Sequence, residues 1–141
     1  MKVSSKTQYA LNTVMDLAMN QHTGVVRVAD ISRRQDIPQK FLEQILMALK
    51  GGGIVGSKRG AKGGYFLARP AAEITLADVV RLTDASLLSE EAAGNQNDRR
   101  TPYEMVWKDI NAHIVTVLEN LTVQTICERA GTMSRVIEYS I

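Results

Sequence analysis

The chain has little of several residue types that stabilise or anchor extracellular proteins. Among its 141 residues there is one cysteine, Cys127, so neither an intramolecular disulfide nor a cysteine-built zinc site can form. No apolar run approaches the ~18 residues that a membrane span requires, and no signal peptide is visible. Aromatic residues make up only 5% of the chain, which predicts an aliphatic core. These absences predict a globular protein of the reducing cytoplasm.

Side-chain sets typical of enzymes and metal sites are missing as well. His22 and His113 have no evident partners, and the adjacent acids Glu90 and Glu91 lie in a polar stretch. Neither the two histidines nor the two glutamates supply a nucleophile with its general base, and neither set forms a cluster of metal ligands. The sequence therefore predicts no catalytic residue and no metal site, and the chain is not expected to be an enzyme.

The net charge of +2 conceals two regions of opposite sign. Residues 1–69 contain eleven Lys and Arg against four Asp and Glu, whereas residues 70–128 contain four against ten. Residues 33–62 alone carry seven basic and two acidic side chains. A basic segment in an otherwise acidic chain indicates a surface that faces a polyanion. A solvated basic face without a partner is the alternative that charge alone leaves open.

Apolar residues recur with the period of amphipathic helices along most of the chain. The third helix is expected to begin at Pro38, whose missing N–H is not needed in a first turn, and to stop at Gly51. Thr75 should cap the fourth helix, and Thr122 the last. The other predicted helices cover 5–21, 29–35, 76–83, 103–120 and 123–130, with a short strand at 25–28.

A β-hairpin is predicted after the third helix. Two strand-like pieces, Ile54–Lys58 and Gly64–Ala68, flank the glycine-rich basic turn 59–63. Helix, short helix, turn, helix and basic hairpin is the order of a winged helix-turn-helix. The predicted fold class is therefore mainly α with a small β-hairpin wing, followed by a long C-terminal dimerisation helix. The expected divisions are a DNA-binding domain at 1–83, a loop at 84–101, and a dimerisation helix with a C-terminal segment at 102–141.

The third helix and the hairpin tip both carry side chains suited to DNA. A helix in the major groove needs polar residues at its N-terminal end, and four residues meet that need, namely Gln39, Lys40, Glu43 and Gln44. At the tip, glycines allow the backbone to approach closely, and an arginine fits a narrow minor groove. The expected tip contacts are Lys58, Arg59 and Lys62. Any amphipathic helix has a polar face, so helix and tip together are more informative than either alone.

A nucleotide-binding loop is the alternative interpretation of residues 51–56, which match G-x-G-x-x-G. In a dinucleotide fingerprint these glycines follow a strand and open a helix. Here they close a helix and open a strand, and Ser57-Lys58 stands where a phosphate-binding loop has Lys-Ser or Lys-Thr. The context therefore argues against a nucleotide site.

The helix predicted at 103–120 is strongly apolar on one side. It could pack on its own subunit, but a dimer seam is favoured because helix-turn-helix proteins commonly read two half-sites as dimers. The residues expected in that two-fold interface are Val106, Ile110, Ile114, Val117 and Leu121.

Five stretches of sequence form a recognisable set. They are Ser5-Lys6-x-x-Tyr9-Ala10, Ala29-Asp30-Ile31-Ser32, Phe41-Leu42-Glu43-Gln44-Ile45, Gly53-Ile54-Val55 and Arg59-Gly60-x-x-Gly63-Gly64-Tyr65-x-Leu67. Over residues 1–130 the chain resembles the winged-helix regulator family that includes IscR, NsrR and CymR. The resemblance implies a bacterial homodimer on a palindromic double-stranded operator, expected to act as a repressor. It implies DNA contacts by Pro38, Lys40, Glu43 and Arg59. Lys6, which lies in the first of the five stretches, is also expected to contact DNA.

One departure from that family concerns the cofactor. Cluster-binding members carry three cysteines in the loop before the long helix, whereas residues 84–101 contain none. The chain therefore resembles the cluster-free branch, of which CymR is an example, and no cofactor is expected. Cys127 shares the apolar face of the last helix with Val123 and Ile126, which predicts a buried structural thiol, and a reactive sensor thiol is the alternative. The sequence identifies no effector or co-regulator, and a protein-interaction module without DNA binding is the alternative function.

Overall fold

The structure is a computed structural model that describes residues 2–89 and 101–140, with side chains described through residue 133. Within these residues it is mainly helical with one two-stranded antiparallel hairpin, which confirms the predicted winged-helix class. The elements are α1 (Ser5–Met19), α2 (Val28–Gln35), α3 (Gln39–Gly51), β1 (Val55–Lys58), β2 (Gly64–Leu67), α4 (Leu76–Thr83), α5 (Pro102–Asn120) and α6 (Val123–Ser140). Short 3-10 turns lie at Gln21–Thr23, Ala71–Glu73 and Ala85–Leu88.

The core is aliphatic, as the scarcity of aromatic residues predicted. Val14 and Leu17 of α1 and Ile31 of α2 are at most 1% exposed. Tyr9 and Phe41 add one edge-to-face aromatic pair, with ring centroids 5.7 Å apart. The inner face of α3 packs into the same core with Leu42, Ile45, Leu46 and Leu49. This packing fixes the rotation of α3 about its axis and turns its polar face outward.

A buried ion pair joins α1 to α2. The Asp16 side chain is only 1% exposed, and Arg34 donates from Nε and Nη2 to its two carboxylate oxygens at 2.9 and 2.8 Å. Gln35 donates a third hydrogen bond at 3.0 Å. The hydrogen bond to Asp16 raises the pKa of Arg34 above its ordinary value. A carboxylate is tolerated at this depth because both of its oxygens are paired.

The turn between α2 and α3 is closed by local hydrogen bonds. Asp36 adopts a left-handed conformation with φ of 53°, which ends α2. Ser32 Oγ donates to the Ile37 carbonyl at 2.6 Å, and the Ile37 N–H donates to the Ser32 carbonyl at 3.1 Å. Pro38 is the N-cap of α3 and not part of its first turn, because its ψ of 129° is extended.

The wing is attached to the segment that precedes α2. Val55 and Leu67 face each other across the antiparallel β1–β2 pair. On the other edge of β2, Val26 and Tyr65 exchange two backbone hydrogen bonds of 2.8 Å. Gly64 permits this approach, because a Cβ at that position would lie 2.5 Å from the Val26 carbonyl oxygen.

Apart from boundary shifts of one or two residues, two elements differ from the sequence-based expectations. The predicted strand at 25–28 is wrong, because only Val26 pairs and α2 already begins at Val28. The last helix continues ten residues beyond its predicted end at 130, to Ser140. Gly131 lies inside it, since one glycine costs a helix only about 1 kcal/mol and does not by itself end it.

Reciprocal side-chain caps begin α4 and α5. The Asp78 N–H donates to Thr75 Oγ1 at 3.1 Å, and the Thr75 N–H donates to the Asp78 carboxylate at 3.0 Å, which confirms the predicted cap. Thr101 and Glu104 repeat the arrangement at the start of α5. Thr122 caps α6 as expected, accepting from the Thr125 N–H at 3.2 Å. The chain thus encodes each of these helix starts locally.

The stretch between α4 and α5 was expected to be a loop. Its described part contains the 3-10 turn at Ala85–Leu88, and residues 90–100 lie outside the described residues. The division into domains at 1–83 and 102–141 stays a prediction. The helix α6 packs on the predicted DNA-binding domain, because Val123 is buried in the core of that domain. Across residues 2–89 and 101–140, no helix is long and apolar enough to cross a membrane.

Candidate nucleic-acid interface

Every side chain predicted to contact DNA is exposed to solvent in the structure. They belong to three parts of the fold, namely the start of α1, the N-terminal half of α3 with its cap, and the wing. The residues are Lys6, Pro38, Gln39, Lys40, Glu43, Lys58, Arg59 and Lys62. Exposure leaves all of them available to a ligand, and their contacts with DNA stay predictions.

The solvent side of α3 forms a continuous stripe. Lys40, Glu43, Met47 and Lys50 follow one another at intervals of three or four residues and are all exposed. This outer face of α3, defined by these four residues, lies opposite the apolar residues that anchor the helix in the core. A helix held in this way presents a rigid set of side chains to a ligand.

The outer face of α3 is joined directly to the wing. Lys50 Nζ donates to Ser57 Oγ of β1 at 2.7 Å. Lys50 also lines an open cleft of about 400 Å³ with Arg27, Lys58 and Arg59. Four cations around one cleft make a strongly electropositive surface, which favours binding of a polyanion.

Arg27 is a part of this surface that sequence reasoning missed. Its Nη2 donates to the Ala61 carbonyl of the wing turn at 3.1 Å. The two residues are 34 positions apart, so no local pattern predicts the contact. The bond holds the tip of the wing, with Arg59 beside it, against the start of α2.

The predicted basic segment contains fewer free charges than its composition implies. The charge of Arg34 is neutralised by its ion pair with the buried carboxylate of Asp16. Arg33 forms an ion pair with Asp30 at 3.3 Å on the exposed side of α2. The charges that remain lie on α3 and the wing. The electropositive surface is therefore narrower than residues 33–62, and it coincides with the elements predicted to contact DNA.

Comparison with known proteins decides the family. Residues 3–129 match the model of the Rrf2 family, which is described as an iron-dependent transcriptional regulator. The chain belongs to the Rrf2 family. It is 34% identical to the HTH-type transcriptional regulator IscR of Klebsiella pneumoniae (strain 342) over 125 residues, covering 86% of this chain and 77% of that protein.

Solved structures of Rrf2-type regulators share the fold. CymR, the global cysteine regulator of B. subtilis, aligns with a TM-score of 0.81 at 25% identity, covering 92% of this chain and 98% of the other. IscR of T. potens aligns with a TM-score of 0.79 at 31% identity, covering 92% and 88%. This Rrf2-family chain is thus a DNA-binding transcriptional regulator and not an enzyme, as the sequence predicted.

The predicted interface helix α5 presents an apolar face that is largely exposed in the single chain. Val106, Ile110 and Val117 are 51%, 43% and 55% exposed in the single chain. Sequence reasoning missed Tyr103, which lies on the same side and is 77% exposed. The pairing of this face with a second copy stays a prediction. The apolar face of α5 is defined by these four residues together with Trp107 and the half-buried Ile114 and Leu121.

An iron–sulfur cluster does not fit the side chains of this Rrf2-family regulator. Such clusters are held by several thiolates, and Cys127 is the single cysteine of the chain. Cys127 is half-buried and not fully buried as predicted, and its Sγ lies 3.9 Å from the Met15 carbonyl oxygen between α6 and α1. Burial, with a smaller contribution from Glu128, raises the pKa of the Cys127 thiol and disfavours the thiolate. Within the described residues, no three His, Cys, Asp or Glu side chains are grouped around a common point.

Proposed function

We propose that this regulator binds a palindromic operator as a homodimer, with α3 in the major groove and the wing tip in the adjacent minor groove. The observation that carries the proposal is the Lys50–Ser57 hydrogen bond, which joins the outer face of α3 to the wing in one basic surface. A groove-reading helix and a basic loop beside it are the two elements that DNA recognition of this kind uses.

The proposed contacts divide according to the chemistry of the side chains. Glu43 accepts a hydrogen bond from a cytosine amino group, and Gln39 reads a base edge one turn earlier. Arg59 enters the minor groove, where a narrow groove concentrates negative potential. Pro38 sets the start of α3 against the DNA backbone. The phosphate contacts come from Lys6, Lys40, Lys58 and Lys62.

The homodimer is supported by the apolar face of α5. Contiguous apolar side chains that are about half exposed in a monomer are typical of an interaction surface. A two-fold axis through paired α5 helices would repeat the DNA-binding surface, and the two half-sites would then lie about 34 Å apart, one helical turn of DNA.

Repression is the proposed outcome in the cell, because a dimer bound across a promoter competes with the polymerase for the same DNA. Bacterial operators lie in the cytoplasm, so the regulator is proposed to act there. A reporter gene behind the operator should be more active when the regulator gene is deleted. Lower activity in the deletion strain would instead identify an activator.

Selection from a random pool of double-stranded DNA tests the proposal. The recovered sequences should contain an inverted repeat with half-site centres about one helical turn apart. In gel shifts at one stated salt concentration, the operator should be preferred over random DNA by at least about 10³-fold. Enrichment of no sequence would reject specific DNA binding, and enrichment of an asymmetric site would reject the two-fold arrangement.

Glu43→Ala and Arg59→Ala are expected to affect binding in different ways. Loss of Glu43 removes a contact to one base, so discrimination at one base pair per half-site should weaken by roughly 1–3 kcal/mol while affinity for random DNA is kept. Loss of Arg59 removes a charge near phosphates, so binding to every sequence should weaken and its salt dependence should fall by about one charge per subunit. Salt titrations on operator and random DNA measure both effects.

Arg129→Ala is the matched control for charge, because Arg129 is exposed on α6 outside the proposed surface. It should leave the salt dependence unchanged. Equal loss of affinity for both DNAs in Glu43→Ala, or an unchanged salt slope in Arg59→Ala, would show that the roles are assigned wrongly.

The proposed regulator works without an iron–sulfur cluster. Protein purified without oxygen should be colourless and contain less than about 0.1 iron and sulfide per chain, because one hindered thiol cannot replace a set of cluster ligands. Iron and sulfide assays with visible absorption spectra measure this. Stoichiometric iron and sulfide, lost in Cys127→Ala, would overturn the proposal and identify Cys127 as a ligand.

A further inference from the structure

Met47 is an apolar side chain in the middle of the charged outer face of α3. It follows Glu43 by four residues and precedes Lys50 by three, so all three lie on one side of the helix. Met47 is 73% exposed, whereas its neighbour Leu46 is completely buried. An apolar side chain that remains in water contributes almost nothing to folding. Its position on a surface otherwise suited to DNA therefore suggests a role in the bound state.

The major groove offers one apolar group to a protein, the C5 methyl of thymine. Methionine suits that target because its unbranched side chain is long and adapts its rotamers to the surface that it contacts. A lysine or arginine at the same position would contact phosphates of any sequence. A methionine increases the affinity only where it contacts an apolar group of the DNA.

We propose that Met47 is a specificity-determining residue that contacts a thymine methyl in each half-site, an inference that rests on the proposed insertion of α3 into the major groove. Four residues advance an α-helix by about 6 Å. Base pairs follow one another at about 3.4 Å. The thymine should therefore lie within about two base pairs of the position that Glu43 reads.

Replacement of thymine by uracil tests the contact, because uracil keeps the base pairing and lacks only the methyl group. Each thymine of the selected operator is replaced symmetrically in both half-sites, and the dissociation constant is measured by gel shift. For the unaltered protein, one position should weaken binding about fourfold per half-site, the loss expected for one buried methyl group. Met47→Ala should have the same dissociation constant for the operators with thymine and with uracil at that position. Its loss of affinity for uracil at the other positions should match that of the unaltered protein.

Two further variants separate the contact from general effects. Met47→Gln keeps the length of the side chain but not its apolar end, and it should also lose the thymine preference. Met133→Ala removes a methionine that is 66% exposed on α6 and should respond to uracil as the unaltered protein does. Methionine and alanine have similar helix propensities, so melting temperatures should stay equal.

The outcomes distinguish this inference from the proposed function. If the protein selects an operator but Met47→Ala keeps the full thymine preference, the Met47 contact is wrong and DNA binding through α3 stands. The same holds if Met47→Ala weakens binding to operator and random DNA equally. A protein that selects no DNA sequence would overturn both.

Discussion

Arg34→Ala should lower the free energy of unfolding by about 3 kcal/mol, the cost of leaving a buried carboxylate without its cation. The Asp16 side chain is 1% exposed and receives two of its three hydrogen bonds from Arg34. The Arg34 side chain is itself 35% exposed, so water can reach the carboxylate in the variant, and the expected loss lies at the lower end of the range for a buried ion pair. Urea denaturation at one fixed protein concentration measures the change, since dimerisation would otherwise add to the apparent stability.

Arg33→Ala is the matched control for this pair. Arg33 is the adjacent residue on α2, and its side chain is 74% exposed in an ion pair with Asp30. An exposed pair of this kind contributes less than about 1 kcal/mol. Equal losses in Arg33→Ala and Arg34→Ala would mean that helix propensity or charge, and not the buried carboxylate, determines the effect.

Val117→Glu should convert the proposed homodimer into a monomer. Val117 is 55% exposed in the single chain, so the folded monomer can keep the glutamate hydrated, whereas a two-fold interface would bury two glutamates against each other. Sedimentation should give the mass of one chain, 15.5 kDa, where the unaltered protein gives twice that value. Operator affinity should fall by at least about 100-fold, because the second half-site no longer binds as part of the same molecule.

Ala112→Glu places the same charge on an exposed position about half a turn away from the apolar face of α5. It should leave the mass and the operator affinity unchanged. A dimeric Val117→Glu protein with full operator affinity would show that the two subunits associate through another surface.

Most of the secondary structure was predictable because its signals are local. Apolar residues at helical spacing placed α1, α2 and α5 within about two residues of their observed bounds, and Thr75 marked the start of α4. The failures occurred where local signals are weak. Gly131 does not interrupt α6, and one bridge at Val26 stands where a strand was expected.

Site residues that lie on one helix could be predicted from the sequence. Residues whose contacts connect two secondary-structure elements could not. Gln39, Lys40 and Glu43 could be assigned to one exposed face from helical periodicity alone. Arg27 could not be assigned, because its bond to Ala61 crosses 34 residues. Met47 was not among the residues predicted to contact DNA, because only polar residues of the third helix were considered for that role, and its side chain is 73% exposed in the structure.

The sequence by itself determined the winged-helix class, the exposed polar face of α3 and the basic wing, because periodicity, glycine turns and charge act over a few neighbouring residues. Only the tertiary structure decided which cations remain free. Arg34 and Lys58 each contribute one positive charge to the composition. In the structure, Arg34 pairs with a carboxylate of α1, whereas Lys58 faces solvent beside the outer face of α3. An ion pair depends on the distance between two side chains, and for residues far apart in the chain that distance is set by the packing of the helices.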